Sequence, residues 1–462
     1  MSGTATAFLQ GVSRLESKAN TASAFLQGVS RLESKANGDL PGWLKALRRS
    51  AFEWVSEHGF PTAKDEAWKY TRVAPILGIP FEPAEPAARC ALSLADVTEL
   101  AGDLGGPRMV FVNGYFVNEL SALKNLPEGV KLSSLASVFA QESEALESLL
   151  QQRLLRERPQ AFTALNIALG EDGAFIRIPA HTTVEEPIHL VFISDAGATP
   201  LVSHPLSVVF AGAGSRATIV ETHAGIEGGI YLNNALTEIV LDEGAVIEHY
   251  KIQNEAESAF HIAFMDVRQG RASRFSAHSI ALGAVLARHE VKVTLEAPEA
   301  QVALNGLYLP RGRQHLDNPT TIDHAAPHCT SRELYKGVVD GHGRGIFDGH
   351  VVVQPGAMKT DASQTNKNLL LSASAQAYTR PWLEIFADDV KCTHGAAVGQ
   401  LDDEALYYLR TRGIPQQAAR ELLIYAFASE MLELIQVPPL RSRVQQMLAA
   451  RFTDGEKAGL LT

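Results

Sequence analysis

Gly214 leads into Ala217-Thr218-Ile219-Val220-Glu221, and Gly244 into Ala245-Val246-Ile247-Glu248-His249. A small-residue turn recurs at Gly214, Gly244, Gly270 and Ala300, about 26 to 30 residues apart, and each turn is followed by a run of alternating polarity. Alternation with period two marks a strand. A period of this size, with two or three strands per coil, is what a parallel β-helix shows. A β-sandwich would also give short strands, but the coil-like period favours the β-helix.

The same character extends from about residue 159 to 400. Phe175-Ile176-Arg177-Ile178, the run Ile188 to Ile193, Ser207-Val208-Val209-Phe210, Val291 to Leu295, Val351-Val352-Val353 and Trp382 to Phe386 read as strands separated by Gly-containing turns. The flanks differ. Residues 38–158 read as mainly helical, with Trp43, Leu44, Leu47, Ala51, Trp54 and Val55 at helical spacing and Leu135, Val138, Phe139, Ala145 and Leu149 on a second helix. Pro75 to Pro86 reads as an exposed connector. Met109 to Val112, Asn113-Gly114 and Tyr115 to Val117 read as a β-hairpin.

Residues 401–462 turn helical again. Asp402 caps a helix stopped by Gly413, and Pro415 opens a second helix with a Leu423, Phe427, Met431, Leu434 stripe that ends at Pro438-Pro439. Residues 1–37 contain a direct repeat: residues 4–20 and 21–37 differ only at Thr6 and Ser23. At 3.6 residues per turn the two apolar stripes are rotated apart by roughly 100°, so one copy is read as dispensable.

Composition narrows the function. The 462 residues hold 41 Lys plus Arg against 52 Asp plus Glu, a formal net charge of -11, which argues against a nucleic-acid partner held by broad phosphate neutralisation. No apolar run is long enough for a membrane span, and the start has no signal-peptide pattern, so a cytoplasmic location is expected. Three cysteines, Cys90, Cys329 and Cys392, cannot make a disulfide framework or supply four thiolates to a cluster. Gly341, Gly343, Gly345 and Gly349 cluster without a Walker motif, so the chain is not itself a P-loop ATPase.

Two clusters carry candidate chemistry. In Asp388-Asp389-Val390-Lys391-Cys392-Thr393-His394-Gly395, an extended backbone puts Cys392 and His394 on one face, where a thiol and an imidazole can share a metal. Two ligands leave half a tetrahedral site unfilled. In Asp323-His324-Ala325-Ala326-Pro327-His328-Cys329, Pro327 disrupts helical i, i+4 geometry, and a polar turn or a satisfied core group is the expected reading. His315, His342 and His350 are read as scattered in loops. The doublets Asp388/Asp389 and Asp402/Asp403 evoke carbohydrate-active β-helix enzymes, but adjacent strand residues face opposite ways and cannot flank one glycosidic bond.

From about residue 40 to 440 the chain resembles the SufB/SufD family of iron–sulfur cluster assembly scaffolds. The resemblance rests on Glu66-Ala67-Trp68-Lys69-Tyr70-Thr71, on Lys359-Thr360-Asp361 with Thr365 to Leu371, on Leu383 to Gly395, and on Asp402 to Ile414 with Tyr425 to Ala428. SufB-like chains carry a cysteine in the stretch matching Gln364 to Leu371. Here there is none, which points to the SufD side. The resemblance implies a mainly β fold: a right-handed parallel β-helix core flanked by N-terminal and C-terminal helical regions. It implies a non-catalytic scaffold subunit that pairs with a SufB-type paralogue through the β-helix, or with itself in isolation. A SufC-type ABC ATPase would dock on the C-terminal helices, for which Leu423, Phe427, Tyr408 and Arg412 are the candidate residues. His394, with Cys392 beside it, would then help hold a transient iron–sulfur cluster shared with SufB, and no cofactor is expected on this chain alone.

Overall fold

The computed structural model describes residues 40–85, 91–141, 146–147 and 160–452. The duplicated segment, Cys90, Ala145 and Leu149 lie outside them. The core is a parallel β-solenoid of about eight turns. Successive strands alternate between two sheets, so each strand pairs in parallel with the strand one coil earlier. The register is unbroken. Val246 lies beside Arg216 and Arg274, Thr330 beside Gln301 and Asp361, and Asp361 beside Lys391.

The coil period read from the sequence is therefore real, and its corner is sharper than the glycine pattern suggests. The left-handed backbone position falls on Gly214, Gly244, Ala272, Glu299, His328 and Lys359. Gly270 and Ala300 sit beside that position and do not occupy it. Corner amides bond from coil to coil: Gly214 N to Glu243 O at 2.8 Å, Gly244 N to Arg271 O at 2.8 Å, and His328 N to Met358 O at 2.9 Å. A non-glycine residue with positive φ is strained by about 1–2 kcal/mol, and the stacked corner ladder offsets that strain.

Each solenoid face has its own cover. Inside, Ile219, Ile247, Phe275, Val302, Val267, Val293 and Ile322 interdigitate. N-terminal helices cover one sheet: Leu44, Leu47, Ala51 and Val55 of helix Gly42–His58, with helix Ala161–Leu169, pack on Val208, Leu236 and Ile262. C-terminal helices cover the other, where Ile424, Ala428, Met431, Leu432 and Ile435 press on Ile252, Ile280, Leu307 and Val338. Full burial of one such side chain stabilises by about 1.5–3 kcal/mol.

Several expectations change. Pro75 to Pro86 is no exposed connector: helix Ala74–Leu77 buries Ile76 and Leu77, and Ile79 and Phe81 join the same core. The hairpin holds, with Phe111 opposite Phe116 and Val112 opposite Tyr115 across left-handed Asn113 and Gly114. Its strand Arg108–Val112 also pairs with Ile188–Ser194, and Lys131–Ser134 pairs with Ala174–Ile178. The region before residue 158 thus supplies strands to both sheets as well as helices.

At the C-terminus Asp402 caps helix Asp403–Thr411 by accepting from Glu404 N. Helix Gln416–Glu433 buries Ala419, Ile424, Ala428, Met431 and Leu432, a face rotated from the expected stripe. Pro438 starts a third helix, Pro438–Phe452, because a proline at a helix start loses no hydrogen bond.

Candidate functional site

The final coil consists of strands Gln376–Ile385 and Lys391–Gln400, and each pairs with only one neighbour. The register sets Cys392 beside Ala362 and His394 beside Gln364. Gln364 in turn lies beside Glu333. Ala362 and Gln364 are buried on the inward face, so Cys392 and His394 continue that inward column at the last rung, as the period-two reading expects. His394 is exposed because no further coil follows it. Cys392 is half-buried against the interior core.

Behind His394, Gln364 Nε2 donates to Glu333 Oε2 at 2.6 Å. Burial pushes the Glu333 carboxyl up to about 7, against weaker hydrogen bonds from Thr320 and Gln364 that lower it. Burial also pushes the Cys392 thiol up, which favours S–H over thiolate. Cys392 would bind a metal only on losing its proton.

The final coil exposes several apolar side chains among charged ones. Phe386 is 60% exposed, Val398 47%, Ile385 42% and Tyr378 39%. Glu66 to Thr71 clasps this end. Glu66 pairs with Arg380, which also binds Asp348 at 2.5 Å. Tyr70 stacks on Tyr378 at 5.0 Å, and Thr71 Oγ1 donates to Asp317 Oδ2 at 2.5 Å. Arg288 lies 4.1 Å over the Trp68 ring. Lys359 Nζ reaches Asp389 at 2.5 Å, just before the Cys392 strand.

The second cluster resolves as a core group and a corner. His324 is buried with Nε2 2.9 Å from Ser331 Oγ, and desolvation lowers its pKa to about 4. Cys329 is buried and donates to Ala297 O, and His328 is the exposed corner residue. The loop placement of two other histidines is corrected. His315 begins a strand and lies 2.9 Å from Thr71, and His350 is on a strand, stacked on Trp382 at 3.6 Å. His342 does sit in a turn.

Of the helical candidates, Tyr408 is 57% exposed, with Arg412 5.2 Å over its ring. Helix Asp403–Thr411 buries none of its residues. Leu423 is half-buried. Phe427 is half-buried too, with its carbonyl accepting from Lys336 Nζ at 2.8 Å and its ring 4.7 Å from that nitrogen.

Sequence reading missed a buried set in the earlier coils: Glu221, His223, His249, Lys251, Glu255 and His261. The signal was there in part, since Glu221 and His223, and His249 and Lys251, are spaced by two within strands and so share a face.

Fold and site together define a parallel β-solenoid protein with one covered end and one bare end carrying a histidine and a cysteine. Residues 192–427 match the SUF system FeS cluster assembly SufBD core domain, and residues 25–190 match the SufBD protein N-terminal region. An iron–sulfur cluster assembly SufBD family protein of Synechocystis is 33% identical over 413 residues, covering 87% of this chain and 90% of the relative. The iron–sulfur cluster assembly protein SufD of Escherichia coli is 31% identical over 405 residues, covering 86% and 91%. SufD of Bacillus subtilis is 26% identical over 425 residues, covering 88% and 94%. The chain belongs to the SufBD family of the SUF iron–sulfur cluster assembly system, on its SufD side.

Proposed function

We propose that this chain is a non-catalytic, cytoplasmic scaffold subunit that completes a cluster-assembly site with a SufB-type paralogue at its bare final coil. The supporting observation is the inward column Glu333–Gln364–His394, which ends at a strand with one open edge in a coil that exposes several apolar side chains. An open strand edge offers free N–H and C=O groups, and exposed apolar side chains gain from being covered. The paralogue would supply the thiolate that a chain with so few cysteines lacks. His394 would donate to the nascent cluster, which is cargo and not a resident cofactor. In the absence of the paralogue, a second copy of this chain would cover the same edge.

A SufC-type ATPase would dock on the C-terminal helices. Tyr408 and Arg412 are the better probes of that surface, because Phe427 also anchors Lys336 of the solenoid. Among the described residues no helix is long and apolar enough to cross a membrane.

The test is co-purification with SufB-type and SufC-type partners, followed by anaerobic reconstitution of wild type and His394→Ala. The variant should assemble normally and yield less cluster. Unchanged yield would leave a purely structural subunit. A Tyr408→Asp/Arg412→Glu variant should lose ATPase capture and keep the paralogue, and retained capture would clear that surface of the role.

A further inference from the structure

His223, Glu255 and His261 meet inside the solenoid, several coils before His394. His223 comes from strand Arg216–Gly225, His261 from strand Phe260–Gln269, and Glu255 follows strand Val246–Asn254. All three are buried, and one donor atom from each lies within 4.8 Å of the other two. Donors about 2.0–2.2 Å from one ion stand about 3.3 Å apart in a tetrahedron, so small side-chain rotations close the set.

Three details point to a cation. His261 Nδ1 is 2.8 Å from Glu255 Oε2, yet neither ring nitrogen of this buried residue makes a directed hydrogen bond. A buried imidazole with both ring nitrogens lacking a well-aligned partner, beside a carboxylate, has bonding capacity that an ion between them would use. His223 Nε2 is 2.6 Å from Glu221 Oε1, and Glu221 is fixed by Lys251 Nζ at 2.7 Å. Lys251 Nζ is also 3.1 Å from this Nε2, and in the tautomer where Nε2–H points to Glu221, Nδ1 is the electron-pair donor, as metal-bound histidines are commonly oriented. Finally, Asn233 Nδ2 is 3.0 Å from His223 Nδ1 and 3.3 Å from Glu255 Oε1, while its Oδ1 has no partner. Its positively polarised NH2 stands where a cation would bridge the same two lone pairs.

Charge agrees. Lys251 balances Glu221, but among the described residues the only ion-pair partner of Glu255 is His261. A buried carboxylate without a cation is costly, and a dication relieves that cost. Glu255 borders a polar cleft of about 180 Å³ shared with Glu227, Glu257 and Arg311, while its own carboxylate is closed off from solvent.

We propose that His223, Glu255 and His261 form a site for a first-row divalent transition-metal ion. Two imidazoles with one carboxylate suit such ions and not Mg²⁺ or Ca²⁺. The site is independent of the cluster-assembly reading and of the His394 end.

The test uses the full chain, stripped by chelator and titrated with Zn²⁺ or Co²⁺. One ion should bind per chain, and it should be retained in Cys392→Ser/His394→Ala. His261→Gln and Glu255→Gln should each weaken binding by at least about 100-fold, the upper end of what disturbing an outer-shell partner costs. No stoichiometric uptake by wild type, or full uptake by a folded His261→Gln, would overturn the proposal. Should these variants fail to fold, X-ray absorption of the zinc-loaded wild type decides. Two imidazoles and no sulfur are expected, and a sulfur ligand or fewer than two imidazoles overturns it.

Discussion

The two ends of the solenoid are built from similar strands and finished differently. At the first end the chain covers its own edges. Strand Arg108–Val112 is flanked by the hairpin strand Tyr115–Phe116, and Lys131–Ser134 runs antiparallel to Ala174–Ile178. Helix Leu94–Ala101, with its Ser93/Asp96 capping box, seals Val97 and Ala101 against Val110, Val112, Val191 and Ile193. At the last end, Gln376–Ile385 and Lys391–Gln400 are left with one open edge each. Parallel coils cannot satisfy their own terminal strands, so each edge must be closed by the chain, blunted, or lent to a partner. The first end takes the first course. The last, with exposed Phe386 and Val398 and few charges along Lys391–Gln400, fits the third.

The sharpest way to break this contrast is to place the same carboxylate at both ends. Val110→Asp buries a charge in a fully enclosed position and should cost about 3 kcal/mol or more in denaturant unfolding. Val398→Asp should change stability by no more than about 0.5 kcal/mol and still lose the paralogue in co-purification. Equal losses of stability would mean the last end is no freer than the first.

Acid should act along the length of the solenoid, because buried histidines held neutral occur near both ends, His189 and His204 towards the first and His315 and His324 towards the last. Burial holds His189 and His204 neutral, with pKa values lowered to about 3 from 6.5. A depressed histidine leaves stability intact above pH 6.5 and removes it as pH falls towards 3, because the unfolded chain takes up protons first. Thermal melts of wild type should therefore drop below pH 6, and His189→Gln should flatten part of that slope. An unchanged slope in this variant would remove His189 from the acid response.

The smallest effect belongs to Glu333, near the bare end, and has the opposite sign. Its carboxyl is raised from 4.5 to about 7, so its contribution is intact below pH 4.5 and lost as pH rises through 7. Glu333→Gln should stabilise the protein by no more than about 3 kcal/mol at pH 8 and by much less at pH 5. A gain equal at both pH values would mean that packing, not proton loss, governs this position.

Local signals were readable where local chemistry decides structure. Asn113-Gly114 makes a tight hairpin whatever surrounds it, Asp402 caps the helix after it, and the coil period follows from strand length plus turn length. The corner position was less readable, since Ala272, Glu299 and Lys359 take left-handed backbone only because neighbouring coils bond to them. Pro75 to Pro86 failed for a similar reason: Ile76, Leu77, Ile79 and Phe81 find a core supplied by distant strands. Cys392 and His394 were found because two residues apart on a strand is a local relation.

Sequence alone therefore determined the strands, the coil period, the capped C-terminal helix and the pairing of Cys392 with His394 on one face. Each depends on backbone periodicity and on contacts within a few residues. Only the tertiary structure decided that this face opens at a bare rung behind Gln364 and Glu333, and that the first end is closed by residues from before the solenoid. The meeting of His223, Glu255 and His261 was likewise beyond local reading, because strand Arg216–Gly225 of one sheet and strand Phe260–Gln269 of the other face each other only across the wound solenoid.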